Sequence, residues 1–437
     1  MFTACESVVE DLNVNPNEFT EVPAQLVFNH AALNVAAIAE AEPARIAGMW
    51  SDQFAGTDRQ YIVQDRFEVS AAIFDEIWAD LYQGGISQAQ IAQEQATAEG
   101  QTLIANYARL LEGYYAAEAA LMFGDVPYTQ ANDPEVADPA YDSQMDVLNT
   151  AISLIQASTT GAGANNTVGS GNNIFSTSAS WAQFGNALLA RYYLAQGNYS
   201  SALSAAQAAN FDEVSDDVNI IHTTTNFAEN LFFQFEAEQR TDYLSFGVVG
   251  TEQSTLFSIL SDTTSRSRGD DKTNDAARLA YFMTPDLTSE LYRLNTTDGA
   301  FAAATNFPVI GYPEVQLIIA EAAARTGDED TAIEALNNAR NYWDTVTGAD
   351  NYADLDGDDF DDNDSNDLLR TILIEKYASV FGLPTFYDII RTDNFIGADM
   401  DERSTPAERF LYPSTEISSN SNFPGEATLD DPTDVFN

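Results

Sequence analysis

The sequence is poor in lysine, histidine and cysteine, and the first of these shortages already limits the possible partners. Among its 437 residues, 18 are Lys or Arg and 68 are Asp or Glu, which gives a formal net charge of −50. Lys272 and Lys376 are the two lysines. Nucleic acids and anionic lipid surfaces repel such a chain, because both carry dense negative charge. The composition therefore argues against both as partners.

The scarcity of cysteine and histidine argues against several kinds of enzyme. Cys5 is the single cysteine, so an internal disulfide is excluded. The two histidines, His30 and His222, lie in unrelated contexts, and the sequence has no HExxH, CxxC, GxSxG or phosphate-loop motif. Acidic residues are so abundant that no pair can be singled out for glycoside hydrolysis. We therefore expect a binding protein and not an enzyme.

Long apolar runs are also missing, and the acidic surplus has its own consequence. No apolar stretch reaches the length of about 18 residues that a membrane-spanning helix requires. Salt screens the self-repulsion of a strongly acidic chain, so the composition favours solubility at high ionic strength. This predicts a halophilic or marine protein. The alternative is an acidic surface that provides high solubility without such a habitat.

Small residues recur at helical spacing around several glycines. In "WAQFGNALLARYYLAQGNYSSALSAAQAA", Gly197 separates two such segments, and Ala202, Ala206 and Ala209 share one face of the second. Alanines at this spacing let two antiparallel helices approach closely, as in tetratricopeptide repeats. Matching patterns surround Gly327 in "YPEVQLIIAEAAARTGDEDTAIEALNNARNYW", and also Gly124 and Gly382.

These matches predict a predominantly α fold with four tetratricopeptide-like helix pairs and an inserted irregular lobe. Gly197 and Gly327 lie 130 residues apart, whereas one tetratricopeptide period is about 34 residues. The repeats are therefore interrupted by long insertions. The predicted organisation is a tether at 1–24 and one domain at 25–437, with repeat helices at about 100–210 and 311–400, the irregular lobe at about 211–310 and a tail at 405–437.

The N-terminal segment indicates a lipid anchor. The letters "FTAC" resemble the end of a bacterial lipoprotein signal peptide, in which small residues precede the cysteine that is lipidated. The following "ESVVEDLNVNPNEFTEVPA" is polar and rich in Asn, as expected for a tether. We therefore predict lipidation at Cys5.

Several motifs, taken in order, resemble the SusD/RagB-like nutrient-binding outer-membrane lipoproteins of the Bacteroidota. They are "CESVVEDLNVNPNEFTEVP", "YYAAEAALMFGDVPY", "WAQFGNALLARYYLAQGNY", "YPEVQLIIAEAAARTGD", "IEKYASVFGLPTFYDIIR" and "RFLYPSTEISSN". The resemblance implies a SusD-like fold, a location at the cell surface and no catalysis. It also implies a partner, a SusC-like TonB-dependent β-barrel transporter over which such proteins act as a lid.

The function predicted from this resemblance is the capture of oligosaccharides or polysaccharides and their delivery to the transporter. A peptide-binding lid of the same transporter type is one alternative, because the resemblance also covers peptide importers. A tetratricopeptide scaffold for intracellular assembly is another. A lipidated Cys5 and the interrupted repeats speak against that last alternative.

Aromatic rings beside polar groups are typical of glycan sites, because sugar rings stack on them while polar side chains bond the hydroxyls. The densest such mixture is "MWSDQFAGTDRQY". The candidate ligand-binding residues are Trp50, Asp52, Gln53, Arg59, Tyr61, Trp78, Tyr82, Tyr243, Arg266 and Arg268. For Trp50, and more strongly for Trp78 and Tyr82, core packing is the alternative.

One acidic segment is a possible metal site. The loop "DLDGDDFDDND", residues 354–364, offers oxygen ligands from Asp354, Asp356, Asp358 and Asp362. It does not fit an EF-hand, since Gly357 at position 6 would put Tyr352 at position 1. A structural calcium ion here and a solvated acidic loop remain the two interpretations. We expect no other cofactor.

Overall fold

Helices dominate the computed structural model, which describes residues 22–170, 173–251, 253–262, 272–361, 363–400 and 403–436. In these ranges the first helices are α1 (Ala24–Ala39), α2 (Glu42–Trp50), α3 (Gln60–Asp65), α4 (Asp75–Ala79), α5 (Ser87–Ala98), α6 (Thr102–Phe123), α7 (Gln144–Thr159), α8 (Trp181–Ala195) and α9 (Tyr199–Ala209). The later ones are α10 (Leu231–Phe233), α11 (Thr255–Ser261), α12 (Ala276–Phe282), α13 (Tyr312–Thr326), α14 (Glu329–Thr347), α15 (Asp367–Ser379), α16 (Leu383–Arg391) and α17 (Ser414–Ser419). The prediction of a predominantly α fold is confirmed.

The strands are short and pair antiparallel. They are β1 (Ala55–Gly56), β2 (Val126–Pro127), β3 (Tyr141–Asp142), β4 (Phe175–Ser176), β5 (Val218–Ile220), β6 (Leu244–Ser245), β7 (Met283–Asp286), β8 (Leu291–Leu294) and β9 (Phe307–Ile310). β1 pairs with β6, β2 with β3 and β7 with β8, while β5 lies between β4 and β9. Between α9 and α13 the described residues form only short helices and strands.

Two helix hairpins follow the predicted pattern closely. The turn between α8 and α9 contains Gly197 at φ 68°, and the turn between α13 and α14 contains Gly327 at φ 86°. Such left-handed backbone favours glycine, because a Cβ atom is strained there. Each second helix is capped, since the side chains of Asn198 and Asp328 accept backbone N–H bonds three residues on.

The other two helix pairs differ from simple hairpins. α6 and α7 pack together, but the chain between them forms the β2–β3 pair before α7 begins. Gly382 lies in the turn between α15 and α16, yet α16 packs mainly on α2, and α15 mainly on α13. A Cβ atom at Gly382 would lie 3.0 Å from the Ala44 Cβ atom of α2. Because α2 packs closely at Gly382, α15 and α16 do not form a simple helix hairpin.

The hydrophobic core is continuous along most of the chain. Its main cluster runs from Val27 in α1 to Val435 near the C-terminus, and a smaller cluster lies between α13, α14 and α15. None of the described helices is both long enough and apolar enough to cross a membrane.

Candidate ligand-binding cleft

An aromatic-lined cavity of about 320 Å³ lies between the irregular lobe and helices α13 and α14. This volume falls within the range of small-ligand sites, about 300–1,000 Å³. We call this cavity the cleft. Its aromatic lining consists of Tyr114, Tyr281, Phe282, Phe301, Phe307, Tyr342, Trp343 and Phe381. The lining residues come from distant parts of the sequence, which the fold brings together.

Tyr281, Tyr342 and Phe381 are the aromatic lining residues that are partly exposed, whereas the other five are buried. The Tyr342 ring stacks on Tyr312 with centroids 6.0 Å apart and lies perpendicular to Trp343 at 5.2 Å. Trp343 is buried, with the Arg278 guanidinium 4.2 Å from its ring centroid. Tyr281 and Tyr342 therefore offer exposed ring surface to a ligand, while the Arg278 guanidinium packs against the buried Trp343 ring.

Asp217 is a buried carboxylate at the edge of the small sheet. It directly precedes β5, and β9, the partner of β5, ends at Ile310, immediately before Gly311, the N-cap residue of α13. One carboxylate oxygen accepts the Tyr312 backbone N–H at 2.5 Å, and the other accepts the Tyr342 hydroxyl at 2.8 Å. Asp217 thus caps α13 from another element, since Gly311 has no side chain to do so.

Burial leaves Asp217 difficult to ionise. The side chain is 3% exposed, and this loss of solvation raises its pKa to about 7, although both hydrogen bonds oppose the shift. A buried carboxyl with a raised pKa beside an open cavity is typical of functional sites.

A buried ion pair forms another wall of the cleft. The Nε and Nη2 atoms of Arg191 donate to the two carboxylate oxygens of Glu314, at 2.6 and 2.8 Å. Glu118 accepts the Tyr192 and Tyr387 hydroxyls at 3.0 and 2.7 Å. Burial raises the pKa of Glu118, and Arg191, 3.9 Å away, opposes that shift. These groups join α6, α8, α13 and α16 beneath the cleft.

The structure corrects the expectation that Trp50 contacts a ligand. Trp50 is 0% exposed, and its ring is surrounded by Phe67, Phe74, Phe386 and Phe410, with centroids 5.3–6.3 Å away. Its indole N–H donates to the Gln64 carbonyl at 2.9 Å. Trp50 is therefore a core residue, because helices and tail segments that are distant in sequence surround its ring.

Gln53 is also corrected from a ligand contact to a structural link. Its side-chain amide donates to the Val380 carbonyl at 2.6 Å and accepts the Gly382 backbone N–H at 3.0 Å. Gln53 is fully buried by these contacts. The amide therefore joins the predicted binding loop to the turn between α15 and α16.

Tyr61 and Tyr243 meet as predicted, but inside the protein. Their ring centroids lie 5.6 Å apart, and both side chains are buried. The Tyr61 hydroxyl donates to Glu42 at 2.6 Å and accepts from Arg45. Pairing of β1 with β6 brings these segments together. Both residues are corrected from ligand contacts to core residues.

Trp78 and Tyr82 stack on each other at 4.6 Å between centroids, near the β2 strand. Trp78 is buried, which favours its core alternative, and Tyr82 is half-buried with its hydroxyl bonded to the Pro127 carbonyl at 2.7 Å. Neither residue lines the cleft.

The remaining candidates are charged residues. Asp52 accepts both the backbone N–H and the hydroxyl of Thr255 at the start of α11, at 2.8 and 2.6 Å. The Arg59 side chain is 75% exposed and lies 3.5 Å from Asp58. A ligand role for Asp52 and Arg59 stays a prediction. Arg266, Arg268 and Cys5 lie outside the described residues.

A lysine forms ion pairs with carboxylates of the acidic loop. The Lys272 ammonium lies 2.6 Å from Asp359 and 3.5 Å from Asp356. Asp354 accepts the Asn341 amide at 3.2 Å, and Asp362 lies outside the described residues. In the part of the chain that is described, no group of three or more His, Cys, Asp or Glu side chains is placed to hold a metal. Calcium binding at 354–364 stays a prediction.

The sequence contained one signal for the cleft. On α14 the buried residues include Ala332, Leu336, Ala339 and Trp343, which lie along one side of the helix, and Tyr342 lies beside them. An aromatic residue next to the packing face is available for another contact. Asp217 had no comparable signal, because it is one of 68 acidic residues.

The chain belongs to a SusD-like family described as "Starch-binding associating with outer membrane", whose family model matches residues 16–385. This confirms the resemblance found in the sequence. A comparison with curated proteins found no match.

Solved structures support the same fold. A SusD/RagB family protein from Bacteroides thetaiotaomicron matches with a TM-score of 0.67 and 17% identity, over 95% of this chain and 99% of that chain. A SusD homolog from Bacteroides fragilis matches with a TM-score of 0.69 and 16% identity, over 95% and 99% of the two chains. A chitin-binding SusD homolog from Flavobacterium johnsoniae matches with a TM-score of 0.69 and 13% identity, over 94% and 99%.

Proposed function

We propose that this protein captures oligosaccharides in the cleft and delivers them to a SusC-like TonB-dependent β-barrel transporter. The observation that carries the binding proposal is the pair of partly open rings, Tyr281 and Tyr342, beside the buried carboxylate of Asp217. The family description as starch-binding and the chitin-binding relative support a sugar ligand.

The lining suits a sugar chemically. Ring faces of tyrosine pack against the C–H faces of sugar rings, while carboxylate and amide groups bond the hydroxyls. Asp217, Asn219 and Asn306 supply such polar groups along the cleft. The carboxylates at the cleft already accept hydrogen bonds from Arg191, from tyrosine hydroxyls or from a backbone N–H. We therefore propose binding without catalysis.

Calorimetry with soluble starch and N-acetylated chito-oligosaccharides tests this proposal. Tyr342→Ala should weaken binding by about ten-fold to a hundred-fold, because it removes a stacking partner of about 1–3 kcal/mol. Tyr193→Ala is the matched control, since Tyr193 is a half-buried tyrosine of α8 that does not line the cleft.

Two results would contradict the proposal. One is equal glycan affinity of the Tyr342→Ala variant and the wild type. The other is a wild-type protein that binds neither glycan but binds peptides, which would favour the peptide-binding alternative.

We also propose that a lipid on Cys5 anchors the protein to the outer membrane at the cell surface. The "FTAC" segment and the family description support this location. Cys5→Ala in a full-length precursor should release the protein from isolated outer membranes. Retention of that variant in the membrane fraction would contradict a lipid anchor at Cys5.

A further inference from the structure

The charges that line the cleft do not balance. Three carboxylates, Glu118, Asp217 and Glu314, face one guanidinium, Arg191. Arg191 bonds both oxygens of Glu314 and lies 3.9 Å from Glu118. Among the described residues, no arginine or lysine forms an ion pair with Asp217. The cleft lining therefore supplies one cation for three carboxyl groups.

Asp217 is the carboxylate best placed to receive a cation from a ligand. Its two partners, the Tyr312 N–H and the Tyr342 hydroxyl, are neutral donors. A carboxylate offers about four lone-pair positions, so these bonds leave acceptor capacity. Burying a charge without an opposite charge is costly, and a ligand cation beside Asp217 would offset that cost.

The aromatic lining favours the same kind of group. Aromatic faces attract an ammonium through the ring quadrupole, and this attraction is stronger when water is excluded. Burial, together with the charge of Asp217, raises the pKa of Tyr281, and the Tyr281 ring lies 6.1 Å from the Trp343 ring in the lining of the same cleft. Tyr342 bonds the carboxylate directly at 2.8 Å. The two tyrosines and the carboxylate thus line the same cleft.

We propose that the cleft prefers oligosaccharides that carry at least one free, protonated amino group on a sugar ring, and that Asp217 binds this ammonium. The inference rests on the proposed glycan-binding function and specifies its ligand. An ammonium brings a positive charge to its hydrogen bond with the Asp217 carboxylate, whereas a sugar hydroxyl or an N-acetyl N–H donates without a charge of its own and binds more weakly. The net charge of −50 also concentrates cationic ligands near the protein.

Affinity measurements on matched ligands test the preference. Glucosamine oligomers should bind about ten-fold tighter, or more, than N-acetylglucosamine oligomers of equal length at neutral pH. Asp217→Asn should reduce this ratio several-fold. Asp330→Asn is the control and should leave the ratio unchanged, because Asp330 is an exposed carboxylate of α14 away from the cleft.

A second measurement needs no variant. The pKa of Asp217 is raised to about 7, so part of the population is protonated at a slightly acidic pH. An ammonium lowers the pKa of a neighbouring carboxyl, and its binding at about pH 6.5 should therefore release a proton from Asp217. Calorimetry in two buffers of different ionisation enthalpy should detect this release for N-trimethylated glucosamine oligomers, whose positive charge does not titrate, and not for N-acetylated ones.

The outcomes separate this inference from the proposed function. Equal affinity for both oligomers, together with weaker binding by the Tyr342→Ala variant, would overturn the amine preference but still support the proposed glycan binding. A preference that Asp217→Asn and Asp330→Asn reduce equally is general attraction to an acidic protein, and it also overturns the inference. Tighter binding of trilysine than of the glucosamine oligomer would indicate that the preferred ligand is a cationic peptide, which contradicts both proposals.

Discussion

At the scale of single residues, burial separates packing aromatics from binding aromatics. Trp50 and Tyr342 are both surrounded by rings, yet Trp50 is fully enclosed, whereas Tyr342 is partly open to the cleft. Local sequence favoured Trp50, because polar residues flank it in "MWSDQF". Those flanking groups bond to other segments instead, as the Gln53 amide does with Val380 and Gly382.

Trp50→Ala should therefore destabilise the protein. Truncating a buried tryptophan costs about 3–5 kcal/mol, through lost apolar contacts and the cavity left behind. The variant also loses the bond from the indole N–H to the Gln64 carbonyl. Denaturant unfolding measures the change, and Trp50→Phe, which keeps one ring, should lose less. A stable Trp50→Ala variant with impaired glycan binding would support the original ligand-contact prediction.

At the scale of elements, the glycines in the turns between helices have different surroundings. Gly327 has φ 86° and ψ 20°, and a Cβ atom there would meet nothing within 4 Å. Gly382 has φ 77° and ψ −134°, and its Cβ atom would lie 3.0 Å from that of Ala44. Both positions strain a non-glycine residue, but Gly382 also supports the contact between α16 and α2.

Gly382→Ala should reduce stability more than Gly327→Ala. The latter change costs about 1–2 kcal/mol, since alanine must adopt the left-handed helical conformation. Gly382→Ala should cost more, because alanine there must adopt a backbone conformation that is nearly restricted to glycine. Its Cβ atom would also crowd Ala44. Thermal or denaturant unfolding of both variants measures the difference. Gly327→Asn is a useful control, because asparagine tolerates left-handed backbone better than alanine. An equal loss in both alanine variants would argue against close packing of α2 at Gly382.

At the scale of the whole molecule, several of the scarce cations lie in the interior. Arg191, Arg278, Arg340 and Lys376 are all buried. Arg278, for example, bonds Glu375 at 2.7 Å. The 68 acidic residues outnumber the 18 arginines and lysines by almost four to one, so the charge of the chain is far from balanced.

Stability should therefore rise with salt concentration. The distance over which charges repel falls from about 30 Å at 0.01 M salt to about 3 Å at 1 M. We expect a higher melting temperature at 1 M than at 0.01 M, with similar values in NaCl and KCl because screening depends on ionic strength. An unchanged melting temperature would count against the predicted adaptation to high salt, which stays a prediction.

The sequence by itself determined the helical fold and the family. Small residues around Gly197 and Gly327 indicate helix hairpins, because helix periodicity and glycine turns depend on neighbours within a few residues. The order of the motifs indicated the SusD-like family, which the family model confirms over residues 16–385.

The tertiary structure alone decided which residues line the cleft. Asp217, Tyr281 and Tyr342 are separated by about 60 residues or more along the chain, and β5, β9 and the start of α13 bring them together. Trp50 is likewise enclosed by Phe386 and Phe410, more than 300 residues away. Burial and cavity lining depend on such long-range contacts, and local periodicity does not encode them.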